Sequence, residues 1–103
     1  MKTDYHEPLA HVVGATMRVD FTTERGVMVD YSVVLVVGSK AEAETVRLYD
    51  GAHGRNEMHR YSSGRGKRSA EVFHRGTLSE GMQIAIEAIK TGYARMVEGW
   101  EGR

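Results

Sequence analysis

Cysteine does not occur in the sequence, which excludes disulfide cross-links, thiolate metal sites and a cysteine nucleophile and leaves the fold to packing and backbone hydrogen bonds. No stretch approaches the roughly 18 consecutive apolar residues needed to cross a bilayer. The first residues, MKTDYHEPLAHVV, carry acids and the chain's single proline where a signal peptide would be continuously apolar. These absences point to a soluble, cytoplasmic protein with no membrane partner. No phosphate loop, dinucleotide fingerprint or nucleophilic serine elbow is present. The glycines of SSGRGK fall on a hairpin, without the following helix that makes such motifs bind phosphate. No cofactor is implied. Net charge is missing too, since 14 Lys and Arg balance 14 Asp and Glu.

What is present suits one packed core: 103 residues at 41% hydrophobic composition make a single α+β domain over residues 1–103. The balanced charge is unevenly spread. Between His53 and Arg75 lie Arg55, Arg60, Arg65, Lys67, Arg68 and Arg75 against only Glu57 and Glu71. Such local positive potential suits an anionic partner such as RNA. The same charges would also serve as solvated hairpin edges that resist aggregation.

Periodicity organises the chain. Within residues 9–21 apolar residues alternate, with Val13, Ala15, Met17, Val19 and Phe21 on one side, which predicts a strand. TTERG turns it into VMVDYSVVLVV, residues 27–37, with Val27, Val29, Tyr31, Val33 and Leu35 on the matching side. Further strands are predicted over 45–50, 57–62 and 68–74. From Thr77 the spacing changes to three and four through Met82, Ala85, Ile86, Ile89, Tyr93, Met96, Val97 and Trp100, the stripe of an amphipathic helix. Thr77 and Glu80 have the form of a capping box. The expected fold is a five-stranded antiparallel meander with one C-terminal amphipathic helix packed on one face. The second face is left open unless residues 1–8 fold over it or a second chain covers the doubly apolar VVLVV as a homodimer.

The chemistry concentrates in YDGAHGRNEMHRY, residues 49–61. If Val46 and Leu48 face the helix beside Met58 and Val72, then Arg47, Tyr49, Glu57, His59, Tyr61, Glu71 and Phe73 point to the open face, with Glu71 opposite His59. A carboxylate beside an imidazole supports acid and base work near neutral pH. His53, from the loop, supplies a second proton-transfer group. Cleavage of RNA by a 2′-hydroxyl needs a base, an acid and a cation over the phosphorane, and requires no metal. His53, His59 and Glu71 fill the catalytic roles, Arg47, Arg55 and Arg60 hold phosphate, and Tyr49, Asp50 and Tyr61 support them. Asp50 and Gly51 also read as plain turn chemistry, with Asp50 bonding loop amides. Metal binding by His53, His59 and Asp50 competes, but the spacing matches no zinc pattern, so no metal is expected.

VRLYDGAHGRNEMHRY, followed by a basic glycine turn and a helix ending near Trp100, resembles the TumE-like toxins of prokaryotic toxin–antitoxin pairs, chiefly over residues 46–61. That resemblance implies a cytoplasmic toxin acting on RNA or translation and neutralised by a cognate antitoxin. It carries onto Tyr49, Asp50, His53, Gly54 and His59. The strand after His53-Gly54 holds a single histidine, His59, where those toxins tend to hold more. The leading expectation is a metal-independent ribonuclease-like toxin. The alternative is a non-enzymatic protein-binding module using the open sheet face or the apolar strand.

Overall fold

The period-two segments pair side by side in chain order. The computed structural model describes residues 1–39 and 41–102. Its elements are β1 (Lys2–Pro8), β2 (Ala15–Glu24), β3 (Val27–Val37), β4 (Glu44–Asp50), β5 (Asn56–Ser62), β6 (Gly66–Lys67), β7 (Glu71–His74) and α1 (Leu78–Glu101). The sheet runs β1-β2-β3-β4-β5-β6, with β7 also on β5, and every pairing is antiparallel. The fold is α+β, an antiparallel sheet with one C-terminal helix, with seven strands among the described residues where five were expected.

Two physical causes account for the extra strands. Residues 2–8 do not fold over the second face; they pair with β2 from Lys2↔Thr22 to Pro8↔Thr16 as an edge strand. KTDYHEP is solvated on both sides, so it lacks the apolar alternation that marks a half-buried strand. Pro8, with no N–H to donate, suits a strand end at the sheet edge. The strand expected over 68–74 is interrupted, β6 and β7 flanking residues 68–70, while the Arg68 amide still donates to the Arg60 carbonyl at 2.8 Å.

Boundaries shift where glycine takes a left-handed backbone. Gly14, at φ 78°, closes a turn in which the Ala15 amide donates to the Val12 carbonyl at 3.1 Å. The second strand therefore begins at Ala15, not near residue 9, and Val13 is fully exposed. Arg25 and Gly26, at φ 53° and 79°, form the tight β2–β3 turn whose twist suits a hairpin. Ala15, Met17, Val19, Tyr31, Val33 and Leu35 are buried together as their alternation predicts.

Extra residues in three strands reset which side faces the core. In β3, Thr22↔Asp30 is followed by Thr23↔Met28, so Val29 is the added residue, and Val27 and Val29 are exposed while Met28 packs on the core. In β4, Leu35↔Arg47 is followed by Val36↔Thr45. Val46 is extra, and it turns Tyr49 to the helix side. In β7, Asn56↔His74 is followed by Glu57↔Val72, leaving Phe73 to meet Tyr49 edge to face at 5.1 Å between ring centres. Val36, in the doubly apolar run, is buried within the single chain.

Helix α1 lies across β3, β4 and β5 and buries Met82, Ala85, Ile89 and Val97. Thr77 caps it and makes the capping box with Glu80, and Gly102 at φ 89° ends it. Among the described residues, no helix is long and apolar enough to cross a membrane.

One buried amide joins helix and sheet. Asn56 is 1% exposed; its Oδ1 accepts from the Tyr31 hydroxyl at 2.8 Å. Its Nδ2 faces the carbonyls of His74 at 3.3 Å and of Gly76 and Thr77 at 3.1 Å. Burial, then the charge of Asp50, pushes the Tyr31 hydroxyl above its ordinary range, so it stays a donor. Gly81 makes room for this network, because a Cβ there would overlap the Asn56 carboxamide.

Alanine in a helix normally gains up to about 1 kcal/mol over glycine. Gly92→Ala, where the new Cβ meets only the Met96 methyl at 3.5 Å, should therefore stabilise the protein by about 0.5–1 kcal/mol. Gly81→Ala should instead destabilise it by about 2 kcal/mol, because displaced buried hydrogen bonds outweigh propensity. Urea unfolding of both variants checks this, and a stabilised Gly81→Ala would remove Asn56 from its place in the fold.

Candidate functional site

The loop between β4 and β5 starts at Asp50. Its Oδ1 faces the Ala52 amide at 3.3 Å, the loop-bonding role expected of it. The Gly51 amide donates to the Tyr31 carbonyl at 3.1 Å, and the Gly54 amide to the Gly51 carbonyl at 3.0 Å. A side chain at Gly51 would press on Leu78 Cδ2 at 2.9 Å and the Tyr31 ring at 3.0 Å. The loop is thus seated against the core at Gly51 and free at its tip, where His53 is exposed.

Below the loop, cross-strand pairing gathers three titratable groups. Asp50 stands opposite Glu57, and Leu48 opposite His59, so Asp50, Glu57 and His59 share the sheet face away from the helix. His59 Nε2 lies 3.2 Å from Asp50 Oδ2. Glu57 Oε1 lies 3.2 Å from His53 Nδ1, and its Oε2 accepts from Arg55 Nη2 at 3.0 Å. His59 and Glu57 are buried, and the buried Nδ1 of His59 has no hydrogen-bond partner among the described residues. Two carboxylates at directly opposed positions repel. The Arg55 guanidinium on Glu57 offsets part of that repulsion.

The hydrogen bond with His53 is the chief cause holding the Glu57 carboxyl below its ordinary range; burial opposes it, and the charges of Arg55, His53 and His59 add to it. The site can therefore keep an ionised carboxylate beside a proton-carrying ring. Asp50, Glu57 and His59 also bring donor atoms within 4.8 Å of one another, a mixed oxygen and nitrogen set that could hold a divalent cation. Ligand spacing along the chain gives no sign of this, because strand pairing assembles the trio.

The expected arrangement is corrected in three respects. Glu71 is not beside His59: it pairs with Met58 in β5 and bonds Arg60, because the added residue Phe73 in β7 displaces the register. Asp50 takes the place beside His59. Tyr49 and Phe73 do not reach the open face; both pack toward the core. Arg47 and Arg60 stand opposite each other on the helix side, where they line one cavity with Tyr61. The single predicted constellation is thus split, with His53, Arg55, Asp50, Glu57 and His59 on one face and Arg47, Arg60, Tyr61 and Glu71 elsewhere. Glu57 was not singled out as a site residue, although its two-residue offset from His59 places both on one side of a strand.

A model of a domain family of unknown function, Domain of unknown function (DUF7718), matches residues 1–103, and the chain belongs to that family. No curated protein and no solved structure matches the chain.

A depressed carboxyl favours the folded state once ionised. Its contribution is complete above the ordinary value of 4.5 and is lost as pH falls through the lower folded value. Glu80, lowered first by its hydrogen bond to His74 and then by the Thr77 amide, acts with the same sign. Stability should thus fall with acid below about pH 4.5, and Glu57→Gln should flatten that limb. Denaturant midpoints from pH 7 to pH 3 test this; an unchanged slope in Glu57→Gln would separate Glu57 from the His53 contact.

Proposed function

We propose that the Asp50–His59 and Glu57–His53 pairs form an acid–base centre that cleaves RNA, making this protein a small ribonuclease-like toxin. The observation carrying the reading is that two imidazoles are each set on a carboxylate, and those carboxylates are cross-strand partners. One imidazole takes the proton of a 2′-hydroxyl as its oxygen attacks phosphorus. The other gives a proton to the departing 5′-oxygen, leaving a 2′,3′-cyclic phosphate and a free 5′-hydroxyl. Arg55, beside Glu57, offers positive charge to the phosphorane. Asp50 replaces Glu71 as the group orienting His59.

The resemblance of Tyr49, Asp50, His53, Gly54 and His59 to the TumE-like motif supports the same reading. A toxin of this kind acts in the cytoplasm and needs a neutralising antitoxin; the exposed side of His53 is the surface such a partner would cover. A homodimer is not required by this chemistry.

Purified protein should cleave single-stranded RNA with EDTA present. His53→Gln and His59→Gln should each lower the rate at least about 100-fold, the usual worth of a positioned acid or base, with the fold intact by circular dichroism. Full activity in His59→Gln would end the catalytic reading. Loss of activity in EDTA with recovery on adding zinc or manganese would instead make Asp50, Glu57 and His59 a metal centre.

A further inference from the structure

The added residue that turns Tyr49 inward also brings Arg47 to the helix side. There β4, β5 and the last turns of α1 enclose a cavity of about 200 Å³, lined by Arg47, Arg60 and Arg68 with Tyr61, Met96 and Trp100. Arg47 and Arg60 are direct cross-strand partners, and like charges so placed destabilise a sheet. Arg60 is matched by Glu71. Arg47 and Arg68 have no carboxylate partner among the described residues, and the buried Nε of Arg47 has no acceptor.

Two guanidiniums set across adjacent strands with one carboxylate between them leave positive charge uncompensated at this cavity, so it calls for an anion with several oxygens. Phosphate meets that demand, since its oxygens match the planar fork of arginine. Trp100 is half-buried at the junction with a second cavity of about 400 Å³, which also takes in Ser63, Arg65 and Glu101. An anion seated on Arg47 would therefore have an aromatic wall beside it and open room beyond. Aromatic faces bind bases and sugars by stacking.

We propose that this cavity is a nucleotide-binding site, in which Arg47 and Arg68 hold the phosphate and Trp100 meets the ring. The nucleotide is either free or one unit of an RNA strand, and the two share this chemistry. The proposal does not rest on RNA cleavage, because the cavity lies on the opposite side of the sheet from His53 and His59.

Trp100 is the one tryptophan in the chain, so its fluorescence reports directly on the cavity. Titration of the full chain with AMP should give a saturable change, adenosine none and inorganic phosphate a weaker response. Arg47→Gln should weaken AMP binding at least about tenfold, on the scale of one lost charge-assisted contact. Arg68→Gln, at an exposed position where folding is secure, should act in the same direction. His59→Gln should bind AMP as the unaltered protein does, so loss of cleavage and loss of this site are read separately. A short oligoadenylate that displaces AMP and binds more tightly identifies a strand as the ligand; tighter AMP identifies the free nucleotide. Equal responses to AMP and adenosine, or full AMP affinity in both arginine variants, would overturn the proposal.

Discussion

Two-residue alternation sets the face of each side chain within regular strand, and each added residue reverses it, with the largest consequence at Val46 in β4. Before Val46 the inward positions follow one parity, and after it they follow the other. Val46 stays in the core, Arg47 and Tyr49 turn to the helix side, and Leu48 and Asp50 turn away from it. Asp50 meets His59 through this reversal together with the β4–β5 register. In an unbulged strand Asp50 would lie against the helix and Tyr49 would occupy the polar face, so both the histidine–carboxylate cluster and the arginine cavity follow from the same inserted residue.

The strand carrying His59 is fixed in place by its own first residue. Asn56 faces the core and Glu57 the polar side, so neighbouring residues serve scaffold and site. Bonds from Asn56 to Tyr31 and to the carbonyls before the helix leave β5 little freedom to slide. A buried amide with its donors and acceptor engaged specifies one arrangement, since any slip would strand polar groups away from water. Gly51 and Gly81 permit the close approach on either side.

Much of the frame could be read from the residues. The boundaries of β3, the stripe of α1, the Thr77–Glu80 capping box and the inward residues Ala15, Met17, Val19, Tyr31, Val33 and Leu35 follow from local periodicity and end chemistry, whereas Val27 and Val29, expected inward, are exposed. The three added residues do not. Val29, Val46 and Phe73 are of the same apolar strand-forming types as their neighbours, so no local mark distinguishes a bulge from regular strand. β1 was missed because an edge strand exposed on both faces has no apolar pattern. The motif YDGAHGRNEMHRY was legible as a chemical cluster, but register decided its pairings and exchanged Glu71 for Asp50 beside His59.

The polar face holds two histidines on adjacent carboxylates and the helix face holds a group of arginines; the sheet between them keeps the sets apart. Register is the claim on which both readings stand. Nuclear Overhauser contacts from the His59 ring protons test it most directly. The register predicts contacts to the Leu48 side chain and the Asp50 methylene and none to Glu71. Contacts to Glu71 in their place would contradict it.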